Sequence, residues 1–333
     1  MWFTVKPSQT GCAISDGELY DSPHLVAPAG EDSNCLHVYL CGTNGQPMHY
    51  NTAFHLVRSS ASMGCHTVAL SYCYGKIADK ERNERIQQAY PSDELQQQQL
   101  LESYHRDICI GGNGCSLLLS EIDETNSIVG RLRLLLLHLN WTAFVSADGA
   151  LNYSQIIISG HSQGSGHACY LAKNFPFKKA VLISGPQELL AQNSLHNWIH
   201  GSYSCENIAS FMHRDEEGTA ELIRTNWGHI PALSCTDNSV IADISSLIQS
   251  SPTCATITAI LRGKKSFLST IEPMNCENRD GRPCHNSTAT DKRTPQAVCA
   301  EYDVVIDDKR ISMATTALYH YFWMFLLSAE EGL

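Results

Sequence analysis

The chain has 333 residues, enough to bury a sizeable core, and 43% hydrophobic against 17% charged residues marks it as globular rather than disordered. A formal net charge of −11 with no basic stripe argues against nucleic acid and against an anionic membrane surface as partners. Fourteen cysteines, an even number, and Asn-x-Ser/Thr sequons at Asn140, Asn152 and Asn286 suggest disulfides and a secretory route. The opening Met1-Trp2-Phe3-Thr4-Val5-Lys6-Pro7 lacks the apolar core of a signal peptide, so the alternative is a cytoplasmic protein with free thiols. No run reaches transmembrane length; 317–327 is apolar but too short.

Taken in order, residues 1–34 are rich in Pro, Gly, Ser and Asp and read as an irregular lead-in to a single domain over 35–333. Leu36–Leu40 reads as a strand ending in the glycine-rich turn Cys41-Gly42-Thr43-Asn44-Gly45. Residues 51–62 have helical spacing and 67–72 read as the next strand, an alternation that argues for a parallel sheet. From 75 to 125 the pattern turns polar, with Lys80-Glu81-Arg82, a glutamine run at 96–99 and a glycine cluster. It reads as an insertion with helical pieces, either a lid or a plain surface excursion, with Cys109 and Cys115 placed to staple the glycines. Residues 126–140 form a helix, with Ile128, Leu132, Leu135, Leu136 and Leu139 on one face and His138 at its surface or core edge.

The next stretch organises the chain. Ile156-Ile157-Ile158 runs through Ser159 into Gly160-His161-Ser162-Gln163-Gly164, and a helix-compatible segment continues to about 173. Strand, sharp turn and helix around Gly-x-Ser-x-Gly is the order of a nucleophile elbow, in which the glycines make room for a strained serine. The helix starting after Ser162 aims its first amides at the point where negative charge develops. Gln163 is therefore one oxyanion donor, and the turn at Thr43 or Asn44 supplies a second. The competing reading of that turn is an ordinary strand–helix connection. His167, on the buried face of the helix, is given no catalytic role.

Residues 179–184 and 207–212 read as further strands, and 187–200 as either a wall of the substrate pocket or a core-packing helix. The acidic run after 213 offers Asp215 as the carboxylate that orients the base, with Glu216 and Asp237 as rivals. After a last strand at 266–271, a long loop carries His285 where the general base belongs in the chain order Ser, acid, His; His229 and His320 compete. A metal site at Cys276, Cys284 and His285 lacks a second ligand pair. Residues 311–327 read as a closing helix.

The elbow resembles that of the α/β-hydrolase superfamily. More narrowly, Gly-His-Ser-Gln-Gly-Ser-Gly-His-Ala at 160–168 is similar to a group of α/β-hydrolases carrying Gly-His-Ser-Gln-Gly-x-Gly-His-Ala. Gly42-Thr43-Asn44-Gly45, Ser127-Ile128-Val129-Gly130-Arg131-Leu132, and His285 to Asp291 followed by Thr294-Pro295 match further segments of that group. The resemblance implies a mostly parallel central sheet with helices on both faces. It also implies a serine hydrolase with Ser162, Asp215 and His285 as its triad, acting on a small-molecule or lipid ester without metal or organic cofactor. A catalytically silent binding protein and an acyltransferase on the same fold are the rival functions.

Overall fold

The structure is a computed structural model. It describes residues 2–12, 21–30, 33–43, 46–47, 51–73, 79–118, 122–188, 197–213, 220–233, 241–243, 265–269, 303–306, 309–312 and 327. In chain order the strands and α-helices are β1 (Phe3–Val5), β2 (His24–Ala27), β3 (Leu36–Leu40), α1 (Asn51–Ser62), β4 (His66–Leu70), α2 (Asp79–Ala89), α3 (Glu94–Ile110) and α4 (Ile128–His138). The chain continues through β5 (Ile156–His161), α5 (Gln163–Asn174), β6 (Lys179–Ile183), β7 (Ile208–His213), α6 (Ala220–Trp227), β8 (Ile241–Asp243), β9 (Ser266–Ser269), β10 (Asp303–Ile306) and β11 (Lys309–Ser312).

Nine strands form one sheet in the order β1-β2-β4-β3-β5-β6-β7-β9-β8, and β10 and β11 pair separately. From β4 to β8 every neighbour is parallel, and β2 runs against both of its partners. A parallel sheet needs cover on both faces. Accordingly β3, β4, β5 and β6 are buried along their whole length, which is why they read as near-continuous apolar runs. The order also sets the site: β5 lies between β3 and β6, so the turn at its C-terminal end opens near the middle of the sheet.

Two parts of the chain differ from their sequence reading. The 1–34 stretch is not wholly irregular, because β1 and β2 extend the main sheet in antiparallel fashion. Strands of three and four residues are too short to show a period, and proline and glycine around them hide the signal. The 75–125 insertion is not a surface excursion throughout its described part: most of 81–96 is exposed, but α3 packs into the core. Leu101, Tyr104, His105, Ile108 and Cys109 of α3 are buried, and α3 packs on α4 and α5. The Cys109–Cys115 staple is absent: the Cys109 thiol donates to the His167 carbonyl at 3.7 Å and the Cys115 thiol to the Leu100 carbonyl at 3.5 Å. None of the nine described cysteines is in a disulfide, so among the described residues the disulfide expectation fails and the secretory reading loses that support.

Other readings hold closely. The helix expected over 126–140 is α4, capped by Ser127, whose hydroxyl accepts from the Gly130 amide at 3.0 Å, and His138 is exposed. The strand expected at 266–271 is β9 over its described residues. Trp198 and Ile199, in a short 3₁₀ turn, belong to the core rather than to a pocket wall. The 311–327 helix expectation is wrong at its start, where 311 and 312 belong to β11, and most of the rest lies outside the described residues. No helix among the described residues is long and apolar enough to cross a membrane.

The core contains four fully buried histidines, His24, His37, His105 and His167. His24 accepts from the Ser71 amide at 2.9 Å, and His37 Nε2 lies 2.6 Å from Ser159 Oγ across β3 and β5. Burial holds His37 down to about 3 against the usual 6.5, and it pushes His24 and His167 well below that value too. The unfolded chain takes these protons near 6.5 while the folded chain refuses them, so stability is complete above 6.5 and is lost as pH falls below it. Each such group contributes up to about 1.4 kcal/mol per pH unit in that window. Urea titrations from about pH 7 down to about pH 4 should give a midpoint that falls progressively; a midpoint flat across that range would contradict neutral burial.

Candidate active site

Ser162 sits between β5 and α5 with φ 54° and ψ −124°. Positive φ on a residue with a Cβ costs on the order of 1–3 kcal/mol, so the surroundings must impose it. They do so from three sides. The Ser162 amide donates to the Ile183 carbonyl at 3.0 Å, tying the turn to the end of β6. The Ser162 carbonyl accepts from the Ser165 amide at 2.9 Å, which starts the helix without a spacer. The flanking glycines provide the third constraint. A Cβ on Gly160 would lie 2.0 Å from the Gly164 carbonyl oxygen, and one on Gly164 would lie 2.3 Å from the Leu40 carbonyl oxygen. The helix start can therefore press against both β5 and β3 only because both positions lack a side chain.

The first turn of α5 starts at the serine, with the positive end of the helix toward it. The Gln163 side chain points elsewhere, its Nε2 donating to the Tyr104 hydroxyl on α3 at 2.9 Å. The Gly42-Thr43 turn lies against the serine. Cys41, Gly42 and Thr43 leave the end of β3, and a Cβ on Gly42 would stand 3.2 Å from Ser162 Cβ and 3.3 Å from His161 Nδ1. The Tyr72 hydroxyl holds this loop by donating to the Cys41 carbonyl at 2.5 Å. A bulkier residue at 42 would push the loop off the serine.

A serine set in this conformation, after the fifth strand of a sheet with this order and one reversed strand, decides the fold. The chain has the α/β-hydrolase fold. The esterase 2 of Thermogutta terrifontis phosphorylated by paraoxon is similar at 12% identity, over 69% of this chain and 77% of its own, with a TM-score of 0.37. Est1E from Butyrivibrio proteoclasticus is similar at 9% identity over 62% and 80%, with a TM-score of 0.33. An alpha-beta serine hydrolase homologue from Coxiella burnetii is similar at 13% identity over 63% and 77%, with a TM-score of 0.32. No protein-family model and no curated protein matches the sequence.

Of the expected site residues, the structure brings Ser162, Gln163 and the Gly42-Thr43 turn together. Asn44, Asp215 and His285 lie outside the described residues, as do the rivals Glu216, Asp237 and His320. The described chain does carry β7 to His213, two residues before Asp215, and β9 to Ser269, before the loop of His285. The remaining rival, His229, lies past α6 with its ring centroid 4.4 Å from that of His200. The close His37–Ser159 contact is a core pair inside the sheet, fully buried on both sides, and not a nucleophile with its base.

Behind the elbow lies a buried polar chain that no local pattern announced. Arg82 on α2 reaches Glu188 Oε2 at 3.3 Å, and Glu188 Oε1 stands 3.1 Å from His105 Nε2 on α3. His105 Nδ1 in turn is 3.1 Å from His167 Nδ1 on α5. A Cβ on Gly166 would lie 2.9 Å from Glu188 Oε1, so this glycine lets the carboxylate come up against the helix. Tyr104 and Trp198 pack on the His105 ring at centroid distances of 5.4 and 4.9 Å. The chain ties the inserted helices and the segment after β6 to the nucleophile helix. His167 is buried, as expected; its partners come from segments far apart in sequence.

Proposed function

We propose that this α/β-hydrolase cleaves carboxylic esters through an acyl-enzyme on Ser162. His285 takes the serine proton as Oγ attacks the ester carbonyl, then returns it to the leaving alcohol. Asp215 accepts the other imidazole N–H, fixing the tautomer and stabilising the imidazolium. The Gln163 main-chain amide and an amide at Thr43 or Asn44 stabilise the oxyanion, assisted by the positive end of α5. The same groups then serve water as the second nucleophile. The substrate is a small-molecule or lipid ester.

The observation that carries this reading is the enforced conformation of Ser162, with φ 54°, at the start of α5 and with the Gly42 loop against it. Ser184 also has positive φ, but Ser162 alone among the described serines combines it with the strand–turn–helix of an elbow and with three glycines against the turn. A panel of chromogenic esters of graded acyl length, run on wild type and on Ser162→Ala, tests it. Turnover by wild type on some chain lengths, lost in the variant, is the expected result. No turnover on any ester, or equal turnover by both proteins, would overturn it, and transfer to added alcohols in place of hydrolysis would reassign it to acyl transfer.

A further inference from the structure

The cysteine content is the feature of the sequence that the hydrolase reading leaves unused. Two of the nine described thiols stand sulfur to sulfur. Cys35 immediately precedes β3 and Cys65 immediately precedes β4, and the two strands pair in parallel from Leu36 opposite His66. Neighbouring strands lie roughly 4.8 Å apart, within the window of about 4.4–6.8 Å between Cα atoms that a disulfide spans. The Cys65 thiol donates to Cys35 Sγ at 2.7 Å. The bottom of the sheet holds the pair in register: the His66 amide donates to the Cys35 carbonyl at 2.9 Å, and the Ser33 hydroxyl donates to the Gly64 carbonyl at 2.7 Å.

We propose that Cys35 and Cys65 are a dithiol–disulfide redox pair, with Cys35 as the attacking sulfur and Cys65 as the resolving one. The order of attack follows the hydrogen bond: Cys65 donates to Cys35 Sγ, and a donor at that sulfur favours its thiolate form. That hydrogen bond lowers the Cys35 thiol below its usual range against the raising effect of burial, and the nearby Lys178 ammonium adds to the lowering. Sharing its proton raises Cys65. A lowered thiolate at the rim of a sheet, beside a second thiol, is the arrangement that reacts with disulfides. Cys35, at 8% exposed, is the most open of the nine described thiols; Cys12, Cys65 and Cys73 are at 5–6%, and Cys41, Cys109, Cys115, Cys169 and Cys205 are at 1% or below.

The reaction balances with a small disulfide such as oxidised glutathione as the oxidant. The Cys35 thiolate attacks one glutathione sulfur, the glutathione S–S bond breaks, and one glutathione thiolate leaves. Cys65 then gives up its proton and attacks Cys35 Sγ. The mixed disulfide breaks, the second glutathione leaves, and the protein gains one intramolecular S–S bond. The protein dithiol is oxidised by two electrons and the glutathione disulfide is reduced to two thiols.

This site is separate from the proposed esterase centre. Leu36 pairs with Ile156 at the start of β5, while Ser162 lies past the other end of that strand. At about 3.3 Å per residue, the six residues from Ile156 to Ser162 put the two sites on the order of 20 Å apart along the sheet.

Fully reduced wild-type protein is treated with oxidised glutathione under native conditions, then alkylated in denaturant, digested and mapped by mass spectrometry. The expected result is two fewer alkylated thiols than the fourteen of the reduced chain, with Cys35 and Cys65 in one cross-linked peptide pair. Cys65→Ser should trap glutathione on Cys35, and Cys35→Ser should leave Cys65 unmodified. Brief alkylation of native wild type keeps the test alive if a variant fails to fold, since Cys35 should react fastest of the nine described thiols. Absence of the 35–65 link with either sulfur still free, or glutathione landing on Cys65 in place of Cys35, would overturn the assignment. So would native alkylation that favours another described thiol.

Discussion

Ser162→Ala, His285→Ala and the double variant should all lose kcat on the best ester substrate by a similar factor, roughly 10⁴ to 10⁶. The near-equality is the informative part. If His285 acts only through Ser162, removing the base from a protein already without its nucleophile takes nothing more away. The residual rate that remains in all three is what the oxyanion amides and substrate binding supply without the serine, and Gln163 contributes there through its backbone, which none of these substitutions alters. A smaller loss in His285→Ala, within about tenfold of wild type, would mean that another imidazole serves. His320→Ala and His229→Ala then decide between the rivals, and His229, paired with His200, is expected to leave kcat unchanged.

Glu188→Ala should lower the unfolding free energy by about 3–5 kcal/mol, read as a shift of the urea midpoint. Glu188 stands between the Arg82 guanidinium and the His105 ring, with all three side chains at 2% exposure or less. Truncation takes the carboxylate away from a guanidinium that stays in the interior, and that cost exceeds any gain from simplified packing. Glu188→Gln keeps the volume and removes the charge, so it should lose most of the same stability. Arg82→Met combined with Glu188→Leu should recover a large part of it, because a buried pair replaced as a unit loses its desolvation cost along with its attraction. A single-variant loss under about 1 kcal/mol would show that the pair is exchanging with water and does not clamp α2 and α3 to the elbow.

How much of the fold and site was legible beforehand divides along physical lines. The parallel strands β3 to β7 stood out because both faces are covered, so their residues run apolar without alternation. The elbow stood out because its steric demands fall on adjacent residues: Gly160, Ser162 and Gly164 must each be what they are for one turn to close. The turn at 42–43 was legible as a glycine-rich turn at a strand's C-terminal end, and its close packing on Ser162 and His161 explains why a glycine stands at 42. Strands β1 and β2 were not, since three or four residues carry no period. The glutamine run at 96–99 made the insertion look like surface, and only Gln97 of the four is buried; the opposite side of α3 carries the core contacts. The Arg82–Glu188–His105–His167 chain was illegible in principle from one sequence. Its members come from three helices and the segment after β6, and no spacing rule links positions so far apart in the chain. The disulfide expectation failed over the described residues because a buried cysteine behaves as a small apolar residue, so counting cysteines overestimates pairing.

The most direct test of the central claim is labelling with a fluorophosphonate probe and peptide mapping of the modified residue. A pinned and activated Ser162 should take the label as the single modified serine, in native protein but not in denatured protein, and Ser162→Ala should take none. A native protein that stays unlabelled, or one that carries the label on a different serine with Ser162 intact, would contradict the account.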